Sequence, residues 1–226
     1  LSMVTQGYLA VISRIENALV ERLQLGLGKL ARRVESYGGE LDDPKLNLLN
    51  LPAVLVTYGG SRFERMGVSA RSYRIKASDK FIVIVLVRSL RSEKAGRHGG
   101  VTEREIGANQ LISAVKRLLI NQTLGQLVEP IEIAEVRALF NQAPVQNSAL
   151  TAYAIEFDIR YSQSDFLDDG KFPEPTADIN SPDYLFNRYQ GKLSAPDAEL
   201  RTLEGKLFDP TNAAQVPFEI ETKEKT

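Results

Sequence analysis

Phe81-Ile-Val-Ile-Val-Leu-Val87 is apolar at every one of its positions. It is far shorter than the roughly 20 residues a bilayer-spanning helix needs, and its β-branched residues favour a strand. A strand with one wet face alternates apolar and polar residues, so one that does not alternate must be covered on both faces. Upstream, Arg71 to Ala77 sets Tyr73, Ile75 and Ala77 against Ser72, Arg74 and Lys76, the period of a half-exposed strand. Asp79-Lys80 between the two runs is read as the turn of an antiparallel hairpin. Before that lies Leu51-Pro-Ala-Val-Leu-Val-Thr-Tyr-Gly-Gly60, buried-looking and β-branched from Ala53 to Tyr58, with Pro52 at a strand's tolerant first position.

Two helical patterns bracket these strands. Tyr8, Ile12, Ile15, Leu19 and Leu23 form one stripe at three- and four-residue spacing, with Arg14, Glu21 and Arg22 largely off it. Thr5 is the expected N-cap, and Gly26 and Gly28 are the expected stops. The second helix is expected from about Thr102 to Asn121, opened by a Thr102/Glu105 capping box and striped by Ile106, Leu111, Val115, Leu118 and Leu119. Leu30 to Tyr37, Ile131 to Asn141 and Thr151 to Tyr161 read as further strands, the last two neighbours across a loop. Leu41 to Leu49 and Arg91 to Gly100 read as loops.

After Ser162 the texture changes: prolines recur at 173, 175, 182, 196, 210 and 217, acids dominate, and neither period persists. The expected organisation is an α+β domain over residues 1–162 and an extended, irregular C-terminal arm over residues 163–226. The domain is a small mixed, mainly antiparallel sheet flanked by two amphipathic helices. Tyr184, Phe186 and Tyr189 argue that the arm docks on something, its own subunit or a neighbour.

Composition excludes several functions. With 43% apolar residues the chain can build a core. No cysteine means no disulfide, thiolate catalysis or cysteine-based zinc site, and one histidine allows no multi-histidine metal centre. No signal peptide or membrane span is recognised, so the chain is read as soluble, intracellular and without a membrane partner. The net charge of −1 hides a segregation. From Ser61 to His98 ten Lys/Arg stand against three Asp/Glu, whereas from Leu150 to Thr226 eight stand against fifteen. That pattern suits head-to-tail contact between copies, and equally two separately solvated surfaces.

The candidates for chemistry are thin. Gly96-Arg-His-Gly-Gly100 is glycine-rich and basic but lacks phosphate-loop spacing, and reads as a surface loop. His98 alone makes no triad. Asp42-Asp43 and Asp168-Asp169 lack further ligands at calcium-loop spacing. Arg62, Arg65, Arg71 and Arg74, with Phe63 and Tyr73 interleaved, could track nucleic-acid phosphates, but a charged hairpin at a protein interface is the preferred reading. No active site and no cofactor site are expected.

Six stretches carry a resemblance. They are Ile15-Glu-Asn-Ala-Leu-Val20, Val34-Glu-Ser-Tyr-Gly-Gly39, Leu51-Pro-Ala-Val-Leu-Val56 with Gly59-Gly60, Gly107-Ala-Asn-Gln-Leu-Ile112, Leu124-Gly-Gln-Leu127 and Tyr153-Ala-Ile-Glu-Phe157. In order and texture, over about Tyr8 to Tyr161, the chain resembles the tail-module proteins of Mu-like phages and prophages, grouped as tail terminators or tail completion proteins. The resemblance implies a non-enzymatic virion protein of a contractile tail, assembled in the bacterial cytoplasm. It implies a homo-oligomeric ring, a hexamer, seated on the last ring of tail tube protein. Sheath and neck protein would be further partners, and DNA would pass through without specific binding. A head–tail connector is the alternative, with a nucleic-acid-binding module behind it. The expected interface residues are Arg62, Arg65, Arg71 and Arg74 of the basic hairpin and Arg88, Arg91 and Arg97 beyond it. Tyr184, Phe186 and Tyr189 of the arm complete the set.

Overall fold

The computed structural model describes residues 8–39, 51–66, 74–88, 97–99, 106–139, 150–163, 166–194, 202–208 and 215–221. Two compact units divide the chain: Leu9–Phe166, and Leu1–Tyr8 together with Leu167–Thr226.

The first unit is an α+β fold. Its elements are α1 (Val11–Leu27), β1 (Arg33–Ser36), β2 (Ala53–Met66), β3 (Arg74–Arg88), α2 (Ala108–Leu119), β4 (Glu132–Ala138) and β5 (Leu150–Gln163). The five strands form one sheet in the order β1-β2-β3-β5-β4, parallel between β1 and β2 and antiparallel elsewhere. The apolar run from Phe81 to Val87 lies in the central strand, paired on both sides, and both of its faces are covered. Phe81, Val83, Val85 and Val87 join the cluster that includes the helices, while Ile84 and Leu86 belong to a second apolar cluster on the opposite face.

Helical spacing explains the cover on the first face. Ile15, Leu19, Leu23 and Leu27 recur every four residues and are buried, as are Leu111, Val115 and Leu119 of α2. Each such side chain stabilises by about 2 kcal/mol on burial, so the stripes rather than the caps hold the helices down. Indeed α1 starts at Val11 behind Ala10, which offers no capping side chain, and not behind Thr5, which lies outside the described residues. It ends as expected at Gly28, whose φ of 49° suits glycine. The expected capping pair Thr102/Glu105 also lies outside the described residues. Helix α2 instead starts after Gly107, whose backbone N–H donates to Gln110 Oε1 at 3.0 Å.

Two strand readings need correction. Asp79-Lys80 is no turn: β3 runs straight through it, with Asp79 opposite Ser61 on one side and Ile159 on the other. The reason is partners supplied from afar. The Ser61 hydroxyl donates to Asp79 Oδ1, and Lys80 Nζ donates to Glu156 Oε2 at 2.7 Å. The partner of β3 in the hairpin is therefore β2, which continues past Gly59-Gly60 to Met66 instead of ending near Tyr58. A register shift between Tyr58 and Ser61 absorbs the two glycines, and Gly60 takes a φ of 111° there.

In the second unit, α3 (Tyr184–Arg188) is a single short helix, and β6 (Thr202–Phe208) pairs antiparallel with β7 (Gln215–Glu221). The acidic arm thus carries more local order than its prolines suggest. A two-stranded ribbon has a free edge on each strand, so Pro217 can sit within β7.

Candidate interaction surface

The C-terminal end of β2 is a run of exposed residues: Arg62, Phe63, Glu64, Arg65 and Met66. Register assigns them to faces. Arg62, Glu64 and Met66 lie opposite Ser78, Lys76 and Arg74, while Ser61, Phe63 and Arg65 lie opposite Asp79, Ala77 and Ile75. Alternation along a strand then places Arg62 and Arg74 on one face and Phe63 and Arg65 on the other. Phe63 is 60% and Met66 43% exposed.

The remaining expected interface residues do not gather there. Arg88 stands at the opposite end of β3, beside Leu150, roughly 45 Å from Arg74 at the usual strand rise. Arg97 lies in a helical turn with His98, against Gly107 at the start of α2. Arg71 and Arg91 lie outside the described residues. In the second unit, Phe186 and Tyr189 are exposed and Tyr184 is half-buried, and the Arg188 guanidinium stands 5.6 Å from the Tyr189 ring centre.

Sequence reasoning missed a charged band on the helix-free face. Glu156, only 7% exposed, accepts from Lys80 Nζ at 2.7 Å and Arg137 Nε at 2.9 Å, tying β3, β5 and β4 together. Arg160 with Glu132 and Lys76 with Glu129 extend it, each pair at 2.9 Å. Hydrogen bonds from Lys80 and Arg137 hold the Glu156 carboxyl below its usual range, against the opposing push of burial. The same contact with Glu156 raises the Lys80 ammonium above its usual value. One glutamate in Tyr153-Ala-Ile-Glu-Phe157 hints at this band, but only the strand register reveals its partners.

The sign of the pH dependence follows. A lowered folded-state pKa stabilises fully above the unfolded value and is lost as pH falls through the folded one. Glu156→Gln is expected to cost about 1 kcal/mol at neutral pH, given the half-exposed cations beside it. Its stability should fall less steeply than the wild type's in acid, as read by urea unfolding from pH 7 downward. Equal slopes would remove the assigned role.

A second polar cluster sits at the β2 register shift. Asp79 is fully buried, and the Ser61 hydroxyl that donates to it lies 2.5 Å from Tyr58 Oη. Among the described residues, Asp79 Oδ2 has no hydrogen-bond partner. Between α1 and α2, a groove of about 460 Å³ is lined by Arg22, Leu25, Gly26, Leu118 and Leu124, with Arg22 Nε donating to Leu118 O at 2.6 Å.

The sheet ends at β1 on one side and at β4 on the other. Among the described residues, no strand pairs with the outer side of β4, nor with β2 beyond Val56. Among the described residues, no group of three or more His, Asp or Glu is placed to hold a metal ion, and no helix is long and apolar enough to cross a membrane.

No curated protein matches the chain. Residues 11–162 match the family of bacteriophage Mu Gp37, about two thirds of the 226 residues and nearly the whole span from α1 through β5. The helix-backed sheet that carries the exposed hairpin and both outer edges is therefore the family's own part of the molecule, and the chain belongs to the bacteriophage Mu Gp37 family.

Proposed function

We propose that the chain is a structural subunit of a Mu-like phage tail, a terminator that forms a ring on the last tube ring. The ring stops tube growth and presents a new surface to the head or neck. Family membership over α1–β5 carries this reading, because it assigns the sheet unit to a Mu phage lineage. Among the described residues, β4 on its outer side and β2 beyond Val56 pair with no strand, which supports it, since such backbone is what lets copies add side by side. A cap must also offer one face that matches the tube and another that refuses further tube subunits, which is recognition by shape and charge. The protein resides in the virion, at the junction of tail and head.

The test is electron microscopy of phage particles made with and without the protein, alongside the purified full chain mixed with tail tubes. Rings or density at one tube end, and tubes of uncontrolled length in its absence, are expected. Normal-length tubes without the protein would overturn the reading. Its absence from purified tails lacking heads would instead assign it to the neck.

A further inference from the structure

We propose that the exposed end of the β2–β3 hairpin is the docking site for the acidic segment 167–194 of a second copy of this chain. This rests on the ring-forming reading and names the contact that would build the ring.

The hairpin end has two kinds of unmet capacity. Lys76 and Lys80 are engaged by Glu129 and Glu156, but Arg62 and Arg74, on one face of adjacent strands, have no ion-pair partner among the described residues. Met66, 43% exposed, shares that face, while Phe63, 60% exposed, stands on the other face of the same strand. The end of the strand pair thus offers an apolar side chain on each face, with two guanidiniums on the face of Met66.

Segment 167–194 has the complementary pattern. It carries Asp168, Asp169, Glu174, Asp178 and Asp183 against Lys171, Arg188 and Lys192. Asp168 and Asp169 are exposed and follow the exposed Leu167; further along, Phe186 is 46% and Tyr189 73% exposed. Apolar groups and carboxylates on one side thus match apolar groups and guanidiniums on the other. A second copy supplies each surface with its complement. Because the two surfaces differ, the contact is head-to-tail, and repetition of such a contact closes a ring or extends a filament. Charge complementarity of this kind chiefly sets orientation and encounter rate, while the aromatic anchors hold the contact.

The experiment compares the full chain, Arg62→Glu/Arg74→Glu, Asp168→Lys/Asp169→Lys, and the fourfold variant that carries both reversals. Self-association is read by sedimentation velocity, with and without tail tubes and at two salt concentrations. All four sites are exposed, and unchanged thermal melting confirms folding of each variant. Each double reversal is expected to weaken self-association roughly tenfold or more, and the fourfold variant to recover it. Wild-type association should weaken with salt.

Unchanged association of the double reversals, or no recovery in the fourfold variant, would overturn the docking. So would a wild type that stays monomeric both alone and with tubes. Loss of binding to duplex DNA in the hairpin variant, with self-association unchanged, would also overturn it in favour of a nucleic-acid surface. The terminator reading is judged separately, by tube capping. Copies that associate through this contact but ignore tubes would leave the docking standing and remove the terminator. Capping that survives both reversals would do the reverse.

Discussion

Phe157→Ala is expected to lower the unfolding free energy of the sheet unit by about 3–5 kcal/mol and its melting midpoint by roughly 10 °C or more. Phe157 is fully buried in β5, directly opposite Phe81 of the central strand, and both belong to the cluster under α1 and α2. Truncation removes a large apolar transfer term and leaves a cavity that a sheet pinned on both sides of β3 and β5 cannot collapse into. Urea or thermal unfolding monitored by circular dichroism gives the measurement. The exposed Phe63 is the control: the same truncation there should stay within about 0.5 kcal/mol. A loss under about 1 kcal/mol at Phe157 would mean that the core is not packed as described.

Gly107→Ala should be the next most damaging of these changes, at about 2 kcal/mol. Gly107 has φ −88° and ψ 158°, ordinary extended backbone that alanine adopts freely. Backbone freedom alone would therefore make the substitution mildly stabilising, by restricting the unfolded chain. Space reverses the sign. A Cβ at this position would stand 2.5 Å from His98 C and 2.6 Å from Arg97 O, and closer still to Gly99 N. These are backbone atoms, which cannot swing aside as a side-chain tip does, so the chain at 97–99 must separate from the start of α2. Thermal melting reads the overall loss, and hydrogen exchange at residues 97–99 and 108–111 reads its location. Wild-type stability in the variant would show that this close approach is not required. Gly28 works differently: nothing lies near its missing Cβ, but its φ of 49° makes any side chain strained.

Legibility in this chain follows the range of each signal. Ile15, Leu19 and Leu23 announce their helix within a few turns, and β4 and β5 are found as neighbours from two strand-like runs and the loop between them. The interface was less legible. Arg62 to Arg74 and Arg88 to Arg97 are one basic stretch along the chain, yet β3 carries Arg74 and Arg88 to opposite ends of the sheet. Linear proximity is a poor guide on an extended strand, where each residue advances about 3.3 Å. The Glu156 band was invisible for a related cause: its partners Lys80 and Arg137 lie far away in the chain and meet only through the β3–β5–β4 pairing.

By itself, the sequence determined that this protein builds an α+β sheet with two apolar helix stripes, a strand covered on both faces, and opposite charge in its middle and its end. Those properties are written in residue type and periodicity, which act over a few neighbouring positions. Only the tertiary structure decided that Asp79-Lys80 continues a strand, that β2 passes through Gly59-Gly60 to an exposed end at Met66, and that Arg62 and Arg74 share a face while Arg88 stands apart. Each of these depends on strand register between distant segments. Register is set by whole-sheet packing and by polar partners such as Ser61 for Asp79, and a local window of sequence contains neither.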